Sequence, residues 1–300
     1  MILAIKVDVD TCRGTREGVP RLLERLKQRR AAATFLFSLG PDHTGRAITR
    51  VFRKNFISKV RRTSVVKHYG LKTLLYGTLL PGPDIGKTCA SQMRAVRDAG
   101  FEVGIHCWDH VRWQDRVAKE EADWTEREMR RAFERFEEIF GEKPPTWGAA
   151  GWQMNRHAAW IEELSFLYAS DTRGRCPFRP LWDGVAIGCP QLPTTLPTLD
   201  EMIGLNGVDE ENVSQALLQK TATVRSGHVF TAHAELEGGK FLGLFDKLLS
   251  GWKAQGYMIV GLNALYRSLD LAQLPRHEVV YGEVPGRSGT LALQGVEASA

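Results

Sequence analysis

Short β-rich apolar runs alternate with amphipathic helical stretches along most of this chain, and that alternation restricts the fold more than any other feature. Ile2 to Val9 reads as a strand whose C-terminal end carries Asp8 and Asp10. Gly18 to Arg30 follows with Val19, Leu22, Leu23 and Leu26 at helical spacing, and Pro20 is tolerated in a first turn, where N–H groups lack intrahelical partners anyway. Ala33 to Leu39 is a second strand, which completes a strand–helix–strand unit of a parallel sheet. The rhythm returns with a helix over 91–99, a strand over 101–106 and a long charged helix over 121–140. Met129, Phe133, Phe136 and Phe140 form the apolar stripe of that helix, and Gly141 stops it. Further strands are expected at 147–152, 168–171, 229–233 and 258–261, with helices over 154–165, 209–225 and 241–255. A (β/α) barrel and an open α/β sheet both fit, and both place a site at the C-terminal ends of the strands.

Residues 43–80 interrupt the pattern. No acidic residue occurs between Asp42 and Asp84, whereas nine Lys and Arg fall between Arg46 and Lys72. Read as helix, Phe52, Phe56, Ile57 and Val60 share a face flanked by those cations. Such a block seeks phosphate, in nucleic acid or at a membrane surface. No nucleic-acid-binding motif accompanies it; were the partner an anionic membrane surface, Leu74 and Leu75 would enter the interface beside Arg53, Lys54, Arg61 and Arg62. The opening residues carry too short an apolar run for a signal peptide, and no stretch approaches the roughly 20 apolar residues of a spanning helix. A cytosolic or peripheral protein of one domain over 1–300, with 43–80 as an insertion, is therefore expected. The five cysteines form no C-x-x-C pair, which argues against a disulfide framework and a structural zinc knuckle.

Three segments carry chemistry. In V-D-V-D, Asp8 and Asp10 share one face of a strand, where two carboxylates repel unless a cation or a shared proton relieves them. A pair of helix-capping aspartates is the plainer alternative. In G-I-H-C-W-D-H, His106 and His110 are spaced to reach one ion. Cys107 and Asp109 are rival ligands, but on extended backbone Cys107 points away from His106, and Asp109 suits a partner to an imidazole N–H. In F-T-A-H-A-E, His233 ends an apolar strand. Together these residues suffice for a His₂-carboxylate metal site with an open position for water, one carboxylate left over as base and one histidine as acid.

These pieces, in this order, resemble the polysaccharide deacetylase (NodB-homology) family, with its aspartate motif, H-x-x-x-H motif and late histidine motif. The resemblance implies a distorted, incomplete (β/α) barrel. It makes Asp8 the general base, Asp10, His106 and His110 the ligands of one divalent ion (Zn²⁺ or another transition metal), and His233 the general acid. Asp171 matches a position that orients the acid or base. The likeness is strongest to the branch that removes a formyl group from an amino sugar carried on undecaprenyl phosphate. It rests on VDVDTCRGTREGVPRLL (7–23), EVGIHCWDH (102–110), AAGWQ (149–153), SDTRG (170–174), PFRPL (177–181), LPTTLPT (192–198) and HAELEG (233–238). It implies a peripheral position on the cytoplasmic face of the bacterial inner membrane. Arg13, Trp152, Arg173 and Arg179 are then the expected substrate or phosphate contacts. The family's third motif supplies an arginine near the base; AAGW has none, and Arg173 or Arg179 is the expected substitute. A deacetylase of another N-acylated sugar and a non-catalytic lipid-phosphate-binding protein are the competing readings.

Overall fold

The computed structural model describes residues 1–47, 73–224 and 226–298. Arg53, Lys54, Arg61 and Arg62 lie outside the described residues, as does the helical reading of 52–60; of the expected membrane-contact residues only Leu74 and Leu75 are described, in a short helical turn, Thr73–Leu75.

Strand β1 (Ile2–Val9) runs through the middle of a seven-stranded sheet in which every pairing is parallel. Its side chains divide by parity, as a pleated strand requires. Leu3, Ile5, Val7 and Val9 enter the larger core with Leu22 and Leu26 of helix α1 (Val19–Gln28) and with Phe35 and Phe37 of β2 (Thr34–Ser38). Each fully buried leucine of this kind contributes about 1.5–3 kcal/mol. On the other face, Ala4 packs with Tyr168, Val229 and Val260 in a smaller cluster, and the buried Lys6 and Asp8 follow it towards the strand's C-terminal end. One strand therefore faces an apolar layer on one side and a charged interior on the other.

After helix α2 (Ala90–Asp98), β3 (Glu102–Cys107) pairs with β2 and delivers the chain into α3 (His110–Arg116). Helix α4 (Ala122–Phe140) buries Trp124, Met129, Ala132, Phe136, Ile139 and Phe140 against the sheet, and Gly141 ends it in a left-handed conformation (φ 71°). Strand β4 is only Thr146–Trp147, shorter than expected, because the chain turns through Ala150–Trp152 with Gly151 at φ 63° and Trp152 at φ 52°. Helix α5 (Arg156–Ser165) leads to β5 (Tyr168–Ala169). Later in the chain come helix α6 (Val213–Thr223), strand β8 (His228–His233), helix α7 (Leu242–Ala254), strand β9 (Met258–Val260) and helix α8 (Leu262–Arg267).

The strand order β5-β4-β3-β2-β1-β8, with β9 also on β1, leaves β5 and β8 unpaired with one another. The irregular segment 190–196 bridges them: Leu192 N–H donates to Ala169, Thr194 N–H to Thr172, and Thr195 N–H to Val229. This is the expected incomplete (β/α) barrel. A second sheet has no counterpart in the sequence reading. It joins β6 (Arg179–Trp182), β7 (Val185–Ala186), β10 (Arg276–Glu283) and β11 (Thr290–Glu297) in the order β11-β10-β6-β7.

Candidate active site

The C-terminal ends of β1 and β3 bring Asp10, His106 and His110 together. Asp10 Oδ1 lies 3.2 Å from His106 Nε2 and 3.5 Å from His110 Nε2, and one ligand atom from each of the three residues falls within 4.8 Å of the others. His106 ends a buried strand. Its Nδ1 sits 2.5 Å from the Gly148 carbonyl, to which it donates, so the lone pair is left on Nε2, which faces Asp10. Residue 148 must be glycine for that approach, since a Cβ there would lie 2.3 Å from Leu36 Cδ1. His110 is placed by the start of α3, where Asp109 caps the helix by accepting from Arg112 N–H. Asp10 Oδ1 is buried without a hydrogen-bond donor. An orphaned carboxylate oxygen facing two imidazole nitrogens is the donor set that fits a divalent transition metal. Burial works against ionised Asp10, but the imidazoles of His110 and His106 outweigh it and hold its carboxyl far below the usual range. Burial likewise works against protonated His106, and the carboxylates of Asp8 and Asp10 outweigh it, raising the imidazole.

Asp8 is buried beside this trio, its Oδ1 4.0 Å from His106 Nδ1 and without a hydrogen-bond partner. The cation that faces it is Lys6, two residues earlier on the same strand face. Lys6 Nζ is 3.6 Å from Asp8 Oδ2 and donates to the Ser170 carbonyl at 2.8 Å. Burial pulls the Lys6 ammonium below its ordinary range, and the charges of Asp8 and Asp171 oppose that pull. Asp171 accepts from Ala149 N–H and from Gln191 Nε2, both at 2.6 Å. It thereby fixes the turn whose preceding residue, Gly148, orients His106. Burial raises the Asp171 carboxyl above its usual range.

His233 ends β8, in register with Asp8. Its ring meets Trp152 edge-on with centroids 6.1 Å apart, its Nδ1 has no hydrogen-bond partner, and its backbone N–H donates to Glu237. Burial holds the imidazole below its ordinary value, against the charges of Asp10 and Asp200. Two guanidiniums lie near the Trp152 ring, Arg173 at 4.9 Å and Arg287 at 4.7 Å from its centre. Both arginines pair with the buried Glu201. Glu235 pins the turn after β1, accepting from Asp10 N–H, Thr11 N–H and the Thr11 hydroxyl.

Several expected contacts lie elsewhere. Arg179 belongs to the second sheet, where it donates to the Leu271 and Gly188 carbonyls and not to Asp8. Arg173 is buried in its pair with Glu201 and in a bond to the Leu196 carbonyl, and Trp152 is buried, so both shape the cleft from behind rather than lining an open surface. Asp109 bonds to His43 at 2.6 Å, not to either metal-facing histidine, and Cys107 Sγ faces Ser38. Arg13 pairs with Glu17 and lines a surface pocket with Arg21, Glu235 and Lys240. Lys6, Glu235, Glu201 and Arg287 were not singled out from sequence. Lys6 could have been, because K-x-D-x-D places all three side chains on one face.

The polysaccharide deacetylase profile matches residues 5–164, which include β1, β3 and the Asp10–His106–His110 trio. The chain belongs to the polysaccharide deacetylase family. Two relatives of this family member are similar over nearly its whole length. Both are named probable 4-deoxy-4-formamido-L-arabinose-phosphoundecaprenol deformylase ArnD. The one from Shewanella sediminis is 36% identical over 97% of this chain and 94% of its own. The one from Wigglesworthia glossinidia brevipalpis is 30% identical over 94% of this chain and 98% of its own. Among solved structures, one named for a polysaccharide deacetylase of Mycobacterium smegmatis superposes with a TM-score of 0.64 at 16% identity, covering 94% of each chain. A probable polysaccharide deacetylase from Pseudomonas aeruginosa gives 0.60 at 15% identity, covering 89% of each. These two carry the fold across the whole polysaccharide deacetylase domain. No helix among the described residues is long and apolar enough to cross a membrane.

Proposed function

We propose that this chain is a metal-dependent amide hydrolase that removes the formyl group from 4-deoxy-4-formamido-L-arabinose linked to undecaprenyl phosphate, releasing formate and the free amino sugar. The observation that carries the chemistry is the buried, donor-less Asp10 Oδ1 facing two imidazole Nε2 atoms, with a second buried carboxylate beside it. The substrate follows from the two relatives named ArnD deformylase. The freed amine serves later attachment to lipid A, a cationic modification that confers resistance to polymyxin-like peptides.

Asp10, His106 and His110 would hold the ion, Zn²⁺ or another transition metal. When bound, it supplies Lewis acidity and lowers the pKa of a water towards about 7. The protein's own groups do the rest. Asp8 takes the proton as water attacks the formyl carbon, with the Lys6 amino group 3.6 Å from its Oδ2 to steady it. Lys6 thus takes the place of the family's third-motif arginine, reached from β1 instead of from the turn after β4. Asp171 orients His106 through Ala149 and Gly148. His233 gives its proton to the sugar nitrogen as the C–N bond breaks, without which the amine is a very poor leaving group.

The chain acts as one domain at the cytoplasmic face of the inner membrane, where the basic stretch 43–80 meets anionic lipid and Arg13, with Arg21 and Lys240, faces substrate phosphate. Formate release from the formylated amino-sugar lipid, measured with and without chelator and against the acetylated analogue, tests the assignment. We expect release from the formylated lipid only, abolished by chelator and restored by added metal. Chelator-resistant release, or equal rates on the acetylated analogue, would refute it.

A further inference from the structure

Five free cysteines are present, and two of them meet across 77 residues of chain. Cys12 Sγ and Cys89 Sγ are both buried and lie 3.5 Å apart. Cys12 stands two residues beyond Asp10, on the turn held by Glu235 at Asp10 N–H and Thr11 N–H, and its own N–H donates to Asp42. Cys89 occupies the junction between the short helical turn Ile85–Thr88 and α2. Its thiol also donates to the Cys12 carbonyl, at 3.8 Å. Of the other three cysteines, Cys107 faces Ser38, Cys176 faces Gln294, and Cys189 is buried elsewhere.

A disulfide bond is about 2.05 Å long, so bonding requires the two sulfurs to approach by about 1.5 Å. Neither end of the pair is neutral ground. Cys89 is anchored by the helix that follows it, whereas Cys12 rides on the turn that carries Asp10. We propose that Cys12 and Cys89 form an oxidative modification site, closed by a peroxide into an intramolecular disulfide that displaces the Asp10 turn and weakens metal binding. The metal part of this proposal rests on the function proposed above.

The chemistry balances without any further reactant. The sulfur of Cys12 attacks one peroxide oxygen, the O–O bond breaks, and a sulfenic acid and one water result. The sulfur of Cys89 then displaces the hydroxyl as a second water while the S–S bond forms. Two thiols lose two electrons and two protons in all, and one hydrogen peroxide is reduced to two waters. A dithiol reductant reverses the change.

The test uses the full-length, metal-free protein, reduced and then treated with hydrogen peroxide. We expect titratable thiols under denaturing conditions to fall from five to three, with an intact-mass loss of about 2 Da and a peptide map joining 12 to 89. Titration with Zn²⁺ is then run on both forms. The reduced form tests the metal site itself, and the difference between forms tests the disulfide. Affinity should drop about tenfold on oxidation, the scale on which disturbance around a metal ligand acts, and return with reductant. Cys12→Ser and Cys89→Ser should each bind Zn²⁺ as the reduced protein does and lose the peroxide response. Survival of all five thiols, a cross-link between other cysteines, or a Cys12–Cys89 bond with unchanged affinity would each overturn the proposal.

Discussion

The two sides of the cleft hold their functional groups by different means. On the β1–β3 side, each group is fixed by a polar contact: His106 through the Gly148 carbonyl, Asp8 beside Lys6, and the Asp10 turn through Glu235. On the β8 side, His233 Nδ1 is buried with no hydrogen-bond partner among the described residues, and its ring meets edge-on a tryptophan that has two arginines beside it. The first side is preorganised by charge and hydrogen bonding. The second is preorganised by packing, which leaves the imidazole Nδ1 without a partner in the fold. A metal ligand and a base need a fixed position before substrate arrives, whereas an acid must accept a new partner during the reaction.

This difference is open to direct attack, and the largest effect should come from removing a residue of each side in turn. Asp10→Ala should abolish Zn²⁺ binding in calorimetry and lower formate release beyond the roughly 10²–10⁴-fold of a lost general acid. His233→Ala should stay within that range and still bind Zn²⁺. Equal loss of metal affinity in the two variants would erase the contrast.

A smaller effect is expected at Lys6. Lys6→Met should lower kcat by about 10–100-fold, as loss of a supporting contact commonly does, with KM little changed. Lys6→Arg, which keeps the charge, should recover part of that loss. A Met variant that is merely unstable, with no recovery in Arg, would reduce Lys6 to a packing role.

The last effect concerns stability on the β8 side. Burial raises the Glu237 carboxyl from an ordinary 4.5 to about 8. The folded state therefore favours the protonated acid. Its stabilising contribution is fully present below about 4.5 and is lost as pH rises through about 8. Glu237→Gln cannot ionise and escapes that loss. Its melting temperature should gain on the wild type by roughly 7–15 °C between pH 5 and pH 8.5, at about 1.4 kcal/mol per pKa unit and about 2–4 °C per kcal/mol. A constant difference across that window would show that Glu237 is not held neutral.

The same asymmetry explains what the sequence made legible. The candidate ligands His106 and His110 stand only four residues apart and so stand out, whereas Asp10 joins them only through the fold. Strands β1, β2 and β3 and helix α4 were legible because buried strands and amphipathic helices repeat at fixed periods. The second sheet was not. Its β10 and β11 are half exposed, and β10 pairs with β6, which lies nearly a hundred residues earlier in the chain. The Arg287–Glu201 pair spans 86 residues, and the local signal at Glu201, a capping box with Thr198, marks a helix start and not that pairing. Trp152 is similar: its left-handed backbone breaks the strand expected there.

The position of β1 also governs when this protein can begin to work. Lys6, Asp8 and the residues leading to Asp10 are synthesised long before their partners, since Asp8 pairs in register with His233 and Ala4 with Val260. At about 5–20 residues per second, the ribosome needs roughly 10–50 s to supply those partners. Throughout that interval the strand that bears the proposed base has no neighbour on its β8 edge, and the proposed acid does not yet exist. The nascent chain can assemble its β1–β3 pairings early, but catalytic competence arrives as a single late event, after β9 has emerged and docked.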